Sequence, residues 1–324
     1  MKAMICEGYG SGDDLVLSDV AKPELKTDAD CVVRILASTV NDWDWMLVRG
    51  KPRLYRLLFG LLRPRWKILG AEIVGVIESV GASVTEFNHG DVVYGDVSEA
   101  GFGGYAEYAC LPVASLRRVP DQLDVELAAA LPHAAGLAWQ SLVDVARLEQ
   151  GESVLINGVG GGMGVLGAQI AQHHFGCTVT GVDKAFKLEA LHWLGRADAL
   201  DYERVDFTGT GQRYDVIIDA QTTRTPWRLL KALKPGGRYV SVGGAPGRLV
   251  ALALIGPVIG RLTRRRFHLL ALKPNQGLDE VETLVLAKEI EPRIDKRFAL
   301  SDLPLALQRF GRSEHIGKIV ILPK

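Results

Sequence analysis

The apolar and polar positions of this chain change rhythm twice. Up to about residue 119, short apolar runs are cut by glycine and proline. Cys31-Val-Val-Arg-Ile-Leu36, Ile73-Val-Gly-Val-Ile77 and Asp91-Val-Val-Tyr94 read as strands, separated by Gly81, Gly90 and the glycines at 101, 103 and 104. Past Pro120 the period turns helical and alanine-rich, in Asp124-Val-Glu-Leu-Ala-Ala-Ala-Leu131 and in 136–146. From Ser153 strand and helix alternate. The strands are Val154-Leu155-Ile156, Val179 to Asp183, Tyr214 to Asp219 and Arg238 to Val242; between them lie Met163 to His174, the amphipathic Lys187 to Leu194, and Pro226 to Leu233. Such alternation predicts a parallel sheet covered on both faces. Lys318-Ile-Val-Ile-Leu322 is one more strand, expected to rejoin the first region because the alternating sheet is complete by about residue 267. The fold class is therefore α/β, with a mostly β domain in 1–119, a doubly wound domain in 120–267, and a return to the first domain in 268–324.

The turn after the first alternating strand carries the sharpest chemistry. It reads Asn157-Gly158-Val159-Gly160-Gly161-Gly162-Met163-Gly164, and Asp183 closes the next strand, 19 residues beyond Gly164. Glycines let backbone approach a pyrophosphate without a Cβ clash, and a helix N-terminus offers free N–H groups and a positive dipole end. An acid about 20 residues on is placed to accept from ribose hydroxyls. With strand, helix and acid all present, a dinucleotide site is the expected reading over a plain tight turn.

Composition narrows the partners. Lys plus Arg and Asp plus Glu are each 38, so nothing points to nucleic acid. Cys6, Cys31, Cys110 and Cys177 are dispersed, which argues against a disulfide scaffold and fits a reducing compartment. Residues 1–7 hold no apolar core of a secretory signal, so a cytoplasmic location is expected. The apolar stretch Leu249 to Gly260, interrupted by Gly256-Pro257, reads as too short to span a bilayer, and no membrane partner is expected. Arg264-Arg265-Arg266 after it reads as a solvated helix end.

Taken in order, Ala37-Ser-Thr-Val-Asn41-Asp-Trp-Asp-Trp45, Leu69-Gly-Ala-Glu-Ile-Val-Gly75, Val80-Gly81, Gly90-Asp91, Gly104-Tyr-Ala-Glu-Tyr108, Ala128-Ala-Ala-Leu-Pro132, the glycine loop and Gly317-Lys318 resemble the medium-chain dehydrogenase/reductase superfamily. The resemblance runs nearly end to end and points to its zinc-free, quinone-oxidoreductase-like branch. It implies a GroES-like catalytic domain, a Rossmann domain, an active site in the cleft between them, and a homodimer built by joining Rossmann sheets edge to edge.

The departures from the superfamily's zinc enzymes carry functional information. Their Gly-His-Glu motif reads Gly70-Ala71-Glu72 here, and Asn41 stands where they carry a cysteine ligand. Alanine cannot ligate a metal, and zinc needs three or four N, S or O ligands, so no zinc is expected. The seven histidines show no ligand spacing and read as surface or packing residues. Without a metal, reduction of a carbonyl concentrates charge on one oxygen, whereas conjugate reduction spreads it over several atoms. The expected reaction is hydride transfer from NAD(P)H to an enone or quinone, a small apolar carbonyl-containing substrate. A zinc-free alcohol dehydrogenase or carbonyl reductase, suggested by the retained Glu72 and by Asp44, and a catalytically decayed cofactor-binding scaffold, suggested by Met46 and Leu137, stand as alternatives.

The resemblance places Asn41 near the nicotinamide, where its amide can donate to a developing enolate; a turn-forming asparagine is the plain alternative. Asp44 is a candidate acid or water-orienting group, set against the surface carboxylate its type suggests. Trp43 and Trp45 are candidates for a flat pocket wall or for packing at strand-like spacing. Met46 stands where relatives carry a proton donor, which suggests that solvent protonates the enolate. Tyr55, within the basic and apolar stretch Lys51 to Trp66, is a candidate pocket cover. Cofactor contacts are expected from Leu137, Gly158, Gly160, Gly161, Gly162, Met163, Gly164, Asp183, Lys184, Lys187, Ala220, Val242 and Gly243. Asp183 favours NADH by repelling a 2′-phosphate, while Lys184 and Lys187 pull the other way; the balance leans to NADH.

Overall fold

The computed structural model describes residues 1–191 and 198–323. The chain forms two compact units, Met1–His133 with Arg293–Lys324, and Ala134–Pro292.

In the first unit β1 (Lys2–Ile5) and β2 (Val16–Asp19) make an antiparallel ribbon, and the long β3 (Asp30–Thr39) follows. The chain then enters α1 (Asp42–Arg49) and the single turn α2 (Arg56–Phe59) before β4 (Glu72–Val80), β5 (Val92–Asp96), β6 (Tyr108–Pro112), β7 (Arg117–Arg118) and α3 (Val125–Ala129). β3 and β4 are buried over most of their length, alternating with half-buried positions only around residues 33–37 and 75–78, and Cys31, Val33, Ile35, Ile73 and Ile77 enter one apolar cluster. Period-2 burial of this kind keeps the strands in register.

The second unit opens in α4 (Pro132–Trp139) and winds through β8 (Ser153–Asn157), α5 (Gly162–Gln169), β9 (Thr178–Asp183), α6 (Ala185–Ala190) and β10 (Asp198–Asp201). It continues through β11 (Tyr214–Asp219), α7 (Pro226–Ala232), β12 (Leu233–Ser241), α8 (Pro246–Thr263), β13 (Arg266–Leu269) and α9 (Leu278–Leu286). Among the described residues the strands lie in the order β10-β9-β8-β11-β12-β13, every neighbour parallel. That is the doubly wound order, with its switch point between β8 and β11, where loops at the carboxyl ends of strands open a crevice for ligand. Of the amphipathic run 187–194, residues 192–194 lie outside the described residues.

After Pro292 the chain returns to the first unit as β14 (Ile294–Ala299), α10 (Leu303–Gly311) and β15 (Lys318–Leu322). β15 pairs antiparallel with β3 and completes the order β14-β15-β3-β4-β5-β7, with β6 on the other part of β3. The divisions at 133/134 and 292/293 fall later than the expected 119/120 and 267/268. Two anchors explain the shift. His133 is held by the carboxylates of Asp96 and Asp42 in the first unit, while Gln140 and Gln169 bond the backbone of Lys273, Gln276 and Glu291 and keep α9 with the second.

Residues 249–260 also differ from expectation. Gly256-Pro257 does not interrupt the helix: α8 runs 18 residues and passes the length and apolarity criteria for a membrane span. Its buried residues Leu252, Gly256 and Ile259 recur at helical spacing. A Cβ on Gly256 would meet Phe267 Cβ at 2.9 Å, so glycine is what lets the helix lie against β13. Proline within a helix normally costs a hydrogen bond; here the packed face holds the helix together across it. Arg264 ends α8 in the left-handed conformation, φ 55°.

Candidate active site

In the second unit the proposed cofactor loop is built by backbone. Gly158 leaves β8 at φ +94°, and a Cβ there would stand 3.1 Å from Ala220 Cβ, so Gly158 and Ala220 face each other across the switch point. A Cβ on Gly164 would sit 2.2 Å from the carbonyl oxygen of Gly158, so α5 folds this tightly against the turn only with glycine. Gly161 stands at the N-cap and supplies no side-chain cap, leaving the N–H groups of Gly162 and Met163 uncapped by side chains. Gly243 follows β12, and a Cβ on it would lie 3.5 Å from Ala220 O; Val242 N–H donates to Asp219 O at 2.9 Å. The structure thus brings the loop glycines, Ala220 and Gly243 to the carboxyl ends of β8, β11 and β12. Leu137 is half-buried on α4.

Asp183 ends β9 beside this loop, buried at 4% exposure. Its Oδ2 accepts from Gly160 N–H at 2.8 Å and its Oδ1 from Lys184 N–H at 2.9 Å. Lys187, one helical turn on, is equally buried, with Nζ 3.7 Å from Asp183 Oδ1. A Cβ on Gly160 would meet Lys187 Cδ at 2.7 Å, so the lysine stem lies across the loop. The acid and lysine expected to compete over the cofactor are partners here. These features fit a dinucleotide: a glycine cradle, an uncapped helix start and a buried acid at the end of the neighbouring strand, all in one sheet crevice.

Under the sheet ends lies a polar network that the sequence did not reveal. Asp219 accepts from Asn157 Nδ2 and Tyr239 OH, both at 2.7 Å, and Thr222 Oγ1 bridges Tyr239 OH and Ser241 Oγ at 2.9 and 2.6 Å. Burial pushes the Asp219 carboxyl above its ordinary value against these donors.

The first unit gathers side chains from distant stretches. Glu72, fully buried at the start of β4, accepts from Thr39 Oγ1, from Asn41 Nδ2 at 2.8 Å, from Lys318 Nζ at 2.5 Å and, through Oε1, from His133 N–H at 2.6 Å. Lys318 also donates to Asn41 Oδ1 at 2.5 Å. Lysine only donates, so this contact fixes which end of the Asn41 amide is oxygen. Asn41 is therefore more than a turn residue. It stands at the N-cap of α1 while its side chain is clamped between an ammonium and a carboxylate. Its Nδ2 also approaches Thr39 Oγ1 at 3.4 Å. Thr39 and Glu72 are bonded to each other, so both acceptors lie on one side of the amide and can share one of its two hydrogens.

Asp44 is neither a surface carboxylate nor a free acid. It is fully buried, its Oδ2 accepts from Asn41 N–H and its Oδ1 from Gly70 N–H, each at 2.9 Å, and Tyr105 OH adds a further bond. Burial raises its pKa to about 7 against those donors. With both oxygens occupied, it braces the first turn of α1 against the Gly70 loop.

The two tryptophans form no common wall. They lie on a helix, where residues two apart point about 200° apart. Trp43 meets Phe59 edge to face at 5.5 Å, whereas Trp45 packs so tightly on α10 that a Cβ at Gly311 would lie 2.1 Å from its ring. Tyr55 joins the Trp43 side through Phe59 at 6.2 Å, and Trp66 closes on Phe59 at 6.0 Å. Met46 is half-buried on α1.

His133, read from sequence as a surface or packing residue, is buried between two carboxylates. Nδ1 lies 2.8 Å from Asp96 Oδ2 and Nε2 3.1 Å from Asp42 Oδ1. Burial alone would lower its pKa; the two carboxylates outweigh that and raise it to about 10. Asp96 falls below the usual range: burial pushes it up, and the His133 ring and Ser98 donors overcome this. Glu72 and Lys318 stood within quoted landmarks, so their signal was present; nothing in the sequence pairs His133 with Asp96 and Asp42. Among the described residues no group of three or more His, Cys, Asp or Glu is placed to hold a metal ion.

Comparisons with known proteins agree with this architecture. The alcohol dehydrogenase GroES-like domain family matches residues 27–121, and the zinc-binding dehydrogenase family matches 194–321. The chain is 29% identical over 333 residues to 2-methylene-furan-3-one reductase of Solanum lycopersicum, covering 100% of this chain and 79% of that protein. It is 28% identical to the chloroplastic NADPH-dependent alkenal/one oxidoreductase of Arabidopsis thaliana, covering 100% and 80%. The solved quinone oxidoreductase from Coxiella burnetii superposes with a TM-score of 0.87 at 26% identity, covering 100% of this chain and 99% of that one. From the two family matches, these relatives and the fold, the chain belongs to the medium-chain dehydrogenase/reductase superfamily, in its quinone-oxidoreductase-like branch.

Proposed function

We propose that the protein is a zinc-independent, NAD(P)H-dependent reductase of activated alkenes or quinones. The observation that carries this reading is the Lys318 ammonium, 2.5 Å from both Asn41 Oδ1 and Glu72 Oε2. Asn41, which stands where the zinc relatives carry a cysteine ligand, and Glu72, next to Ala71 in the sequence, are bound to this internal cation, and Ala71 supplies no donor. The kinship with relatives named for alkenal, furanone and quinone reduction supports the same reaction class.

In this reading the loop from Gly158 to Gly164 and the start of α5 hold the pyrophosphate, and Asp183 receives the adenosine ribose. Val242 and Leu137 contribute apolar contact. The bound cofactor supplies a hydride. Asn41 offers its second Nδ2 hydrogen to the acceptor oxygen as charge develops there, and Glu72 and Lys318 hold the amide so that little reorganisation is needed. A delocalised enolate or quinol needs only such a modest donor. Asp44, buried and fully bonded, keeps α1 in place and transfers no proton; with Met46 inert, water protonates the product carbon. Trp43 and Tyr55 give an apolar acceptor flat surfaces to lie against. The cofactor preference is NADH by a small margin, because Lys187 already offsets much of the Asp183 charge. A homodimer is proposed as well, since among the described residues β13 ends the sheet order with one backbone edge unpaired, and α8 exposes Leu254, Val258 and Leu262 in a stripe.

Oxidation of NADH and NADPH, followed by absorbance against a panel of quinones, enones and aldehydes, tests the reading. Turnover with quinones or enones and not with aldehydes is expected. Aldehyde reduction alone would establish the carbonyl-reductase alternative, and tight cofactor binding without turnover the scaffold one.

A further inference from the structure

From 45 to 71 the chain carries seven Lys or Arg and no Asp or Glu, although the whole sequence is balanced at 38 of each sign. The same stretch shows the densest run of exposed leucines in the molecule: Leu54 at 59%, Leu57 at 68%, Leu58 at 69%, Leu61 at 65% and Leu62 at 87% exposure. Lys51, Arg53, Arg63, Arg65 and Lys67 are exposed among and around them, and no ion pair to a described carboxylate involves any of the five. Other surface cations, such as Lys2 and Arg118, do have such partners.

The exposure does not come from a segment left without packing. Phe59 and Trp66 turn inward, and the ring series Trp43, Phe59, Trp66 and Phe102 ties the stretch to the core of the first unit, with centroids 5.0–6.0 Å apart. Tyr9 OH donates to Gly60 O at 2.5 Å. The leucines therefore project outward from an anchored platform.

We propose that residues 51–67 dock the protein on an anionic lipid bilayer surface. The leucines enter the boundary between headgroups and acyl chains, and the five cations that lack a described carboxylate partner meet lipid phosphates. Lipid is favoured over a protein partner by shape. Side chains 59–87% exposed stand out from the surface, and a fluid bilayer accommodates irregular projections that a preformed protein face must match. Lying on a surface in this way requires no spanning segment. An enzyme docked this way would meet apolar acceptors where they concentrate, but the docking does not depend on the reductase reading.

The test is sedimentation of the full chain with sucrose-loaded vesicles, of phosphatidylcholine alone and of phosphatidylcholine with phosphatidylglycerol. Binding to the anionic vesicles, weakening as salt rises, and none to the neutral ones is expected. Arg63→Gln with Arg65→Gln should weaken partitioning about 30-fold, equivalent to ~1 kcal/mol per cation. Leu58→Glu with Leu62→Glu should remove it while melting temperature and cofactor affinity stay unchanged. Wild-type protein that stays in the supernatant with anionic vesicles overturns the proposal, as does a leucine variant that binds like wild type. A wild-type dimer that the leucine variant splits into monomers overturns it too, by assigning the face to a second copy.

Discussion

The two units solve their chemical problems with different materials. In the second, the glycine loop is shaped by backbone: what matters at Gly158, Gly160 and Gly164 is the absence of a Cβ. In the first, the cluster around Glu72 is made of charged, hydroxyl and amide side chains from 39–44, 72, 96, 133 and 318, held in place by one another's charges and hydrogen bonds. A backbone site is local in sequence and intolerant of added bulk. A side-chain site is dispersed and intolerant of removed charge. Variants that add a carbon in one unit and remove a charge in the other test this contrast.

The largest effect is expected from Gly164→Ala. Its Cβ would sit 2.2 Å from the Gly158 carbonyl oxygen and 2.6 Å from Val159 Cα, both backbone, so the turn must open. Affinity for NADH and NADPH alike should fall by at least ~1,000-fold, about 4 kcal/mol. Titration calorimetry on protein that still melts cooperatively measures it. Retention of wild-type affinity would mean that the loop does not cradle the pyrophosphate.

Next comes His133→Gln, which leaves the buried Asp96 carboxylate without its cation. Removing one partner of a buried pair costs about 3 kcal/mol, read from chemical denaturation. The sign of the pH dependence follows from the raised pKa. Its folded value of about 10 exceeds the 6.5 of the free side chain, so the stabilisation is fully present below pH 6.5 and is lost as pH rises through 10. The gap between wild type and variant should therefore narrow from pH 6.5 to pH 10. A gap that widens over that range would show that the ring is not held as a cation.

These two variants also mark what the sequence could disclose. The strand, glycine turn, helix and acid of the second unit were legible because they follow one another within 31 residues, and each obeys a local rule of period or conformation. The GroES-like unit was legible through its landmarks. The role of Asp44 was not, because its burial depends on Gly70 and Tyr105, residues 26 and 61 positions away. His133 was missed for the same reason: its partners Asp96 and Asp42 are 37 and 91 residues distant. The packing of the two tryptophans was assigned to the wrong kind of element because Trp-Asp-Trp alternates like a strand, whereas Asn41 and Asp44 start a helix there. The division near residue 293 was hidden because α9 has its own helical period and only the long-range bonds of Gln140 and Gln169 assign it to the second unit.

Asn41→Ala probes the first unit at the point where the acceptor oxygen would meet it. The Glu72 and Lys318 pair persists, but the donor is gone. Loss of one such donor typically costs about 100-fold in kcat, and kcat/KM should fall equally because the bond strengthens only as charge develops. Lys318→Met should lower kcat without raising KM, since it frees the amide to turn rather than deleting it. A rise in KM alone in Asn41→Ala would make the residue a binding contact and leave the donor unassigned.

The smallest effect, and the finest test of the contrast, concerns Asp183. This is the one place in the second unit where a side chain rather than backbone decides an outcome. Its carboxylate already accepts from Gly160 and Lys184 N–H groups and lies 3.7 Å from the Lys187 ammonium. A ribose hydroxyl donates to it readily, while a 2′-phosphate of roughly −2 charge meets like charge. Lys187 offsets part of that repulsion, so NADH should bind only about 10-fold more tightly than NADPH, equivalent to ~1.4 kcal/mol. Asp183→Ser removes the repulsion between the acid and the phosphate, which should bring the two affinities together. Lys187→Ala leaves the acid unopposed and should weaken NADPH while sparing NADH. Paired fluorescence titrations of the three proteins decide it: if wild type prefers NADPH and Asp183→Ser keeps that preference, the acid at the end of β9 braces the glycine loop and does not receive the ribose.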